Sequence, residues 1–345
     1  MLAYYANLRI DKFKYFTRHA HWLDPLFQWD GPWYWSIVKD GYSYDPDTAS
    51  NVAFFPLYPL LVKLASFVIG DTILSGFIVS NLCLLFAGVM LYKLCEGEGW
   101  GRDIARKSVL YMFIFPTGFF ASAYYTEGLF LLLTVSTFYF ARRRAWFPAC
   151  LLAALAGATK IYGVLLAIPL GIEYFGIQSK RPFVTRRKPG RDIFWFALIP
   201  MGVTAFMGFM YLRFGNAMAF VQTQVHWNRV SLTLGATYES LLRVNRFDQL
   251  LILGSLVILA VCMGELLMRR IPLSYVSFIV AVILLVMVSG TLVSVQRYVS
   301  GLFPVFVGVA FVAQRNQIIE LFITVLFSMF MALFVILFSS GYNMY

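Results

Sequence analysis

An all-α integral membrane protein, a helical bundle of about ten spans with interfacial helices, is predicted by three observations. Hydrophobic residues make up 60% of the 345-residue chain and charged residues only 13%, well outside the balance of a soluble domain. Apolar runs suited to membrane helices recur from Thr72 to the C-terminus. The Lys and Arg residues behind the formal charge of +11 lie in short clusters between those runs, the pattern by which polytopic proteins encode their topology. No solvated basic domain is left to hold a polyanion, so nucleic acid is excluded as a partner.

Residues 1–51 form an outer polar and aromatic segment that does not span. Its charges include Asp11, Arg18, Asp24, Asp30, Lys39 and Asp40, and its centre is Gln28-Trp29-Asp30-Gly31-Pro32-Trp33-Tyr34. Residues 52–70 are apolar but carry Pro56, Pro59 and Lys63; prolines remove donors and kink helices, so an interfacial helix is expected there. Residues 71–345 form the multi-span domain, with spans expected at 73–95, 108–121, 126–141, 146–159, 161–177, 193–213, 249–268, 271–289, 299–313 and 317–338. With 52–70 not crossing, Arg142-Arg143-Arg144, the six basic residues of Lys180 to Arg191, Arg269-Arg270 and Arg315 all fall on one face, expected to be cytosolic. The opposite face then carries Asp30, the turn Phe119 to Glu127, the long loop Phe214 to Asp248, and Gln296-Arg297.

The four cysteines, Cys83, Cys95, Cys150 and Cys262, lie in or at the ends of apolar runs and read as small hydrophobes. His19, His21 and His226 form no ligand cluster, so no zinc is expected. Asp45 and Asp47 flank Pro46, a turn pattern more than a metal pair. Asp30 is the conspicuous group: a carboxylate at a membrane surface among Trp29, Trp33, Tyr34 and Trp35 suits acid-base chemistry on a lipid-linked substrate. Spacing alone also fits a solvated aspartate beside an aromatic belt.

The chain resembles the GPI mannosyltransferase II (PIG-V-like) family of the GT-C glycosyltransferase superfamily. The resemblance is carried by Trp29-Asp30-Gly31-Pro32-Trp33-Tyr34, Gly41-Tyr42 and Phe54-Phe55-Pro56-Leu57-Tyr58-Pro59-Leu60. It continues through Phe115-Pro116-Thr117-Gly118-Phe119-Phe120, Tyr125-Thr126-Glu127-Gly128-Leu129-Phe130, Ala158-Thr159-Lys160, Phe220 with Trp227-Asn228-Arg229, and Val295-Gln296-Arg297-Tyr298. It implies a GT-C-type bundle that moves mannose from a polyprenyl (dolichyl-type) phosphate to a lipid-linked or glycan acceptor on the non-cytosolic face, with Asp30 as the base. Such families carry a transmembrane helix before the acidic loop, and no run before Asp30 here serves as one. They also more often show Arg-Pro where this chain has Lys160-Ile161; lysine keeps the charge without the bidentate fork.

Inverting transfer needs a base for the acceptor hydroxyl and cations for the leaving phosphate. Arg297 is the expected phosphate clamp and Lys160 its assistant, with a snorkelling arginine and a helix-end lysine as the structural alternatives. Glu127, a carboxylate in an apolar stretch, needs a partner; it is expected to orient the acceptor or the base, or simply to meet a helix dipole. Trp29, Trp33, Tyr34, Trp227, Arg229 and Tyr298 are the expected substrate contacts. No cofactor is expected, and a divalent ion is an option rather than a requirement, since a monophosphate leaves with less charge than a pyrophosphate. A transporter or lipid flippase, or a non-catalytic subunit of a glycosylation complex, are the rival readings. Short loops point to a bacterial or archaeal plasma membrane.

Overall fold

Helix ends in this chain are set by local chemistry, and the ends decide where its polar residues gather. The structure is a computed structural model that describes residues 22–176, 190–227, 234–292 and 294–342, all of them helix, turn or coil. Helix α1 (Asp30–Asp40) opens directly after Trp29, a non-glycine residue at φ 55°, and closes at Gly41 with φ 83°. Helix α2 (Leu57–Ile69) rises about 20 Å, less than the hydrocarbon thickness. It buries Tyr58 and Val62 while exposing Leu60, Leu64, Phe67 and Val68, an apolar outer face suited to lipid. Asp71 caps helix α3 (Thr72–Gly97), its carboxylate accepting from the Ile73 and Leu74 N–H groups at 2.7 and 2.9 Å.

Helix α4 (Arg102–Ile114) stops where Phe115 turns extended, at ψ 138°, because the following Pro116 disfavours the helical region for its neighbour. The span expected over 108–121 is therefore cut short. The chain turns through a 3₁₀ segment, Gly118–Ala121, before helix α5 (Glu127–Arg142). Gly128 makes this turn possible: a Cβ there would lie 2.6 Å from the Ala121 carbonyl oxygen and 2.7 Å from that of Ser80. Only glycine lets α5 press so closely on α3 and the turn.

Helix α6 (Trp146–Gly157) is followed by Lys160 in extended conformation, the 3₁₀ segment Ile161–Leu166 and helix α7 (Ala167–Tyr174). The span expected at 193–213 is a 3₁₀ segment, Arg191–Leu198, and helix α8 (Met201–Phe214), bent by 41° beside Pro200, which cannot donate into the ladder. In the stretch read as a long loop, Phe214 to Asp248, the described residues are largely helical. It holds helix α9 (Ala219–Gln222), the 3₁₀ segment Thr223–Trp227 and helix α10 (Leu234–Arg243), whose Leu241 packs with Val244 against the core. Then come α11 (Arg246–Met268), α12 (Leu273–Val288), α13 (Val295–Ser300), α14 (Phe303–Ala313) and α15 (Gln317–Ser339). A break at Gly301-Leu302 separates α13 from α14, so the span expected at 299–313 is also divided. Helices α3, α11 and α15 are each long and apolar enough to cross a membrane, and the bent pair makes a fourth candidate. With the shorter apolar helices between them, this is an all-α, multi-pass membrane protein.

The basic helix ends are tied together by ion pairs. Arg142, at the end of α5, donates from Nη2 to Glu98 at 2.8 Å and from Nη1 to Glu173 at 2.7 Å, and its Nε also meets Glu98. Tyr275 adds a hydrogen bond to Glu98 at 3.2 Å, and Ser274 donates to Glu173. Glu265 pairs with both Arg269 and Arg315. Arg142 is thus built into the packing. Residues 180–189, most of the other basic run, lie outside the described residues.

Candidate active site

The opposite end of α5 gathers four charged side chains. Asp30 is the first residue of α1 and Glu127 the first of α5; Lys160 sits on the extended link after α6, and Arg297 on α13. The Arg297 guanidinium donates from Nη1 to Asp30 Oδ2 at 2.7 Å, and from Nη2 and Nε to Glu127 Oε1 at 2.8 and 3.2 Å. Lys160 Nζ donates to the same Glu127 oxygen at 2.8 Å. Two carboxylates thus face two cations, and the group is formally neutral. The Glu127 side chain is 2% exposed, against 15% for Lys160, 16% for Arg297 and 25% for Asp30. Glu127 is therefore sealed beneath the cations, while the other three reach outward. A buried carboxylate is tolerable only because two cations offset its lost hydration.

Asp30, Lys160 and Arg297 line one cavity of about 520 Å³ together with Tyr34 and Tyr298. Apolar Phe54, Ile161, Val225 and Leu285 share its wall, so one chamber offers charge for a phosphate or hydroxyl and hydrocarbon for a lipid chain. Glu127 is not among its lining residues. Its contacts are with Lys160 and Arg297, which it positions.

Asp30 is held by a residue that sequence reasoning missed. The Tyr125 hydroxyl donates to the Gln28 carbonyl at 2.9 Å and accepts the Asp30 N–H at 3.1 Å, bridging the strained peptide around Trp29. The Phe120 and Tyr125 rings lie 5.0 and 4.9 Å from the Arg297 guanidinium carbon, a packing that favours arginine over lysine. Tyr125 lies two residues before Glu127, within one of the stretches that carry the resemblance, but Ser122, Tyr124 and Thr126 place other hydroxyls in the same turn, so nothing local singled it out. Tyr34 shares a 3.3 Å hydrogen bond with Thr126. Burial pushes its phenol above the ordinary value, with the charges of Glu127 and Asp30 adding to the effect, so it stays a neutral hydroxyl at the cavity wall.

The aromatic residues divide. Tyr298 lines the cavity and packs on Tyr162, also in the wall, at 5.2 Å. Trp33 stacks on Phe54 at 6.0 Å and meets Trp227 edge-on at 5.8 Å, so both tryptophans support the wall from behind Phe54. Trp29, also expected to meet substrate, packs with the cluster of Phe119, Phe120 and Phe338 instead. Arg229 lies outside the described residues. The Asp47 N–H donates to Asp45 Oδ1 at 2.9 Å, the Asx-turn that Pro46 suggested. Among the described residues no group of three or more His, Cys, Asp or Glu side chains is placed to hold a metal ion.

A family model described as mannosyltransferase (PIG-V) matches residues 8–178, which include Asp30, Glu127 and Lys160 but stop short of Arg297. A protein named GPI mannosyltransferase 2 from Cryptococcus neoformans is 32% identical over 122 residues, covering 33% of this chain and 28% of the relative. A protein of the same name from Yarrowia lipolytica is 31% identical over 151 residues, covering 43% of this chain and 40% of the relative. The matches thus cover well under half of either relative. Both are fungal, so they lend no support to a bacterial or archaeal membrane. No solved structure matches.

Proposed function

This chain belongs to the PIG-V family of mannosyltransferases, and we propose that it transfers mannose from a polyprenyl phosphate to a lipid-linked glycan on the non-cytosolic face of its membrane. The observation that carries this reading is the convergence of one carboxylate, Asp30, and two cations, Lys160 and Arg297, on a single cavity with apolar walls. The acceptor hydroxyl gives its proton to Asp30 as its oxygen forms a bond to the mannose C1. The bond from C1 to the phosphate oxygen breaks with its electron pair, and the carrier phosphate gains one negative charge. Arg297 and Lys160 meet that charge, and Glu127 holds both of them in place.

In the resting site Arg297 is bonded to Asp30, so an arriving phosphate competes with the base for the same Nη1 donor. Donor binding then loosens Asp30 just when it is needed. A base in this role contributes about 10² to 10⁴ in rate, or about 3 to 5.5 kcal/mol of the barrier. The relatives' shared name favours a glycolipid acceptor. The basic clusters at Arg142–Arg144 and Arg269-Arg270, at the opposite helix ends, support the assignment of this cavity to the outer face.

The test is transfer from polyprenyl phosphate mannose by purified protein carrying Asp30→Asn. Turnover should fall at least about hundredfold while donor binding holds or tightens, because the amide competes less for Arg297. Near-normal turnover removes Asp30 as the base. Modification of an Asp30→Cys variant by a membrane-impermeant thiol reagent from the cytosolic side alone would reverse the orientation.

A further inference from the structure

We propose that Gln222 is a recognition residue for the acceptor glycan, donating from its amide nitrogen to a sugar hydroxyl at the cavity mouth; this deepens the function above and rests on it. Gln222 lines the same cavity as Asp30 and Arg297, and it is exposed.

A chain of hydrogen bonds fixes which way its amide faces. The Met218 backbone N–H can only donate, and it donates to Asn216 Oδ1 at 3.0 Å. The Asn216 amide nitrogen must therefore point the other way, where it donates to Gln222 Oε1 at 2.7 Å and to the Tyr44 hydroxyl at 3.3 Å. Tyr44, accepting that bond, donates its own proton to Gln222 Oε1 at 2.9 Å. The carbonyl side of Gln222 is thus doubly occupied. A flipped amide would set two donors against each other, so the orientation follows from an unambiguous backbone group. Gln222 presents its NH₂ to whatever enters the mouth, and an NH₂ group requires an oxygen acceptor.

The surroundings select the kind of oxygen. Tyr44 sits on the loop that carries Asp45 and Asp47, both exposed, and this loop is pinned to the α9 region by a Ser50 N–H bond to the Thr223 hydroxyl at 3.2 Å. Two nearby carboxylates disfavour an anion, whereas a neutral sugar hydroxyl meets no repulsion. The carrier phosphate belongs with Arg297 and Lys160, and the glycan with Gln222.

The experiment uses the full chain in lipid nanodiscs, with octyl α-mannoside as the acceptor probe. Its affinity is read from tryptophan fluorescence, since Trp33 and Trp227 back the cavity wall. Gln222→Glu keeps an oxygen for Tyr44 and Asn216 but removes the outward donor; Gln222→Ala removes both. Each variant should weaken probe binding about fivefold to tenfold, the loss of one hydrogen bond, with the KM for polyprenyl phosphate mannose unchanged. Unaltered probe affinity in both variants, no detectable probe binding to the wild type, or a donor KM shifted as far as the probe affinity would each overturn the assignment. Wild-type probe binding that depends on Gln222 without any mannose transfer would support sugar recognition by Gln222 and refute the transferase reading, and the acceptor role with it.

Discussion

Glu127 has no contact with the cavity, yet both cations of the site rest on it, and that predicts a measurable coupling. Its Oε1 accepts from Lys160 at 2.8 Å and from two Arg297 nitrogens at 2.8 and 3.2 Å, with the carboxylate 2% exposed. Glu127→Gln removes one negative charge and leaves two cations facing Asp30 alone. Uncovering a buried charge in this way costs about 3 to 5 kcal/mol. Lys160→Met is milder, because Arg297 still satisfies Glu127; loss of one charge-assisted bond costs about 1.5 to 3 kcal/mol. The double variant removes both partners and restores neutrality, with Arg297 on Asp30. Its cost should fall short of the sum of the single changes by about 2 kcal/mol, within the range of directly contacting pairs. The assay is a double-mutant cycle read by reversible unfolding in mixed micelles, at matched lipid composition. Additivity within about 0.5 kcal/mol, the behaviour of independent sites, would refute the view that Glu127 holds Lys160.

Three further outcomes follow from named contacts. Gly128→Ala forces a methyl against the Ala121 and Ser80 carbonyl oxygens and should destabilise the protein by about 1 to 3 kcal/mol; an unchanged thermal midpoint would show that α5 does not need the close approach. Arg142→Leu strands Glu98 and Glu173 and should cost about 3 to 5 kcal/mol in the same unfolding assay. The donor KM of the surviving protein should be unaltered, and a raised KM would place Arg142 in the donor site. Tyr125→Phe deletes the hydroxyl joining the Gln28 carbonyl to the Asp30 N–H, so kcat should fall about tenfold with donor KM unchanged, as expected for misplacement of Asp30 in its proposed role as base. Equal loss in kcat and gain in KM would mean that Tyr125 shapes donor binding as well.

Helix positions were legible because hydropathy is local: α3, α5, α6, α11, α12 and α15 begin and end within a few residues of the expected spans. Legibility failed at prolines and glycines inside apolar runs. Pro116, Pro200 and the Gly301-Leu302 break each divide what composition reads as one span, since hydropathy counts apolar residues and is blind to backbone conformation. The long loop expected before Asp248 holds more structure than its sequence signals: α9 and α10 form because their apolar residues find a core to pack on, which no local window reveals.

Sequence alone determined that this chain lives in a membrane, which helix ends carry the positive charge, that Asp30 stands among tryptophans in a polar segment, and that Glu127, Lys160 and Arg297 interrupt apolar stretches. What only the tertiary structure decided is that the four are one unit. Lys160 lies 33 residues from Glu127, Arg297 lies 170 from it, and Asp30 lies 267 from Arg297. Contacts at such separations leave no periodicity to read, because they come from how whole helices pack, with Gly128 permitting the close approach. The same packing turned Trp29 away from the cavity and made Glu127 an anchor, roles set by neighbours in space rather than in the chain.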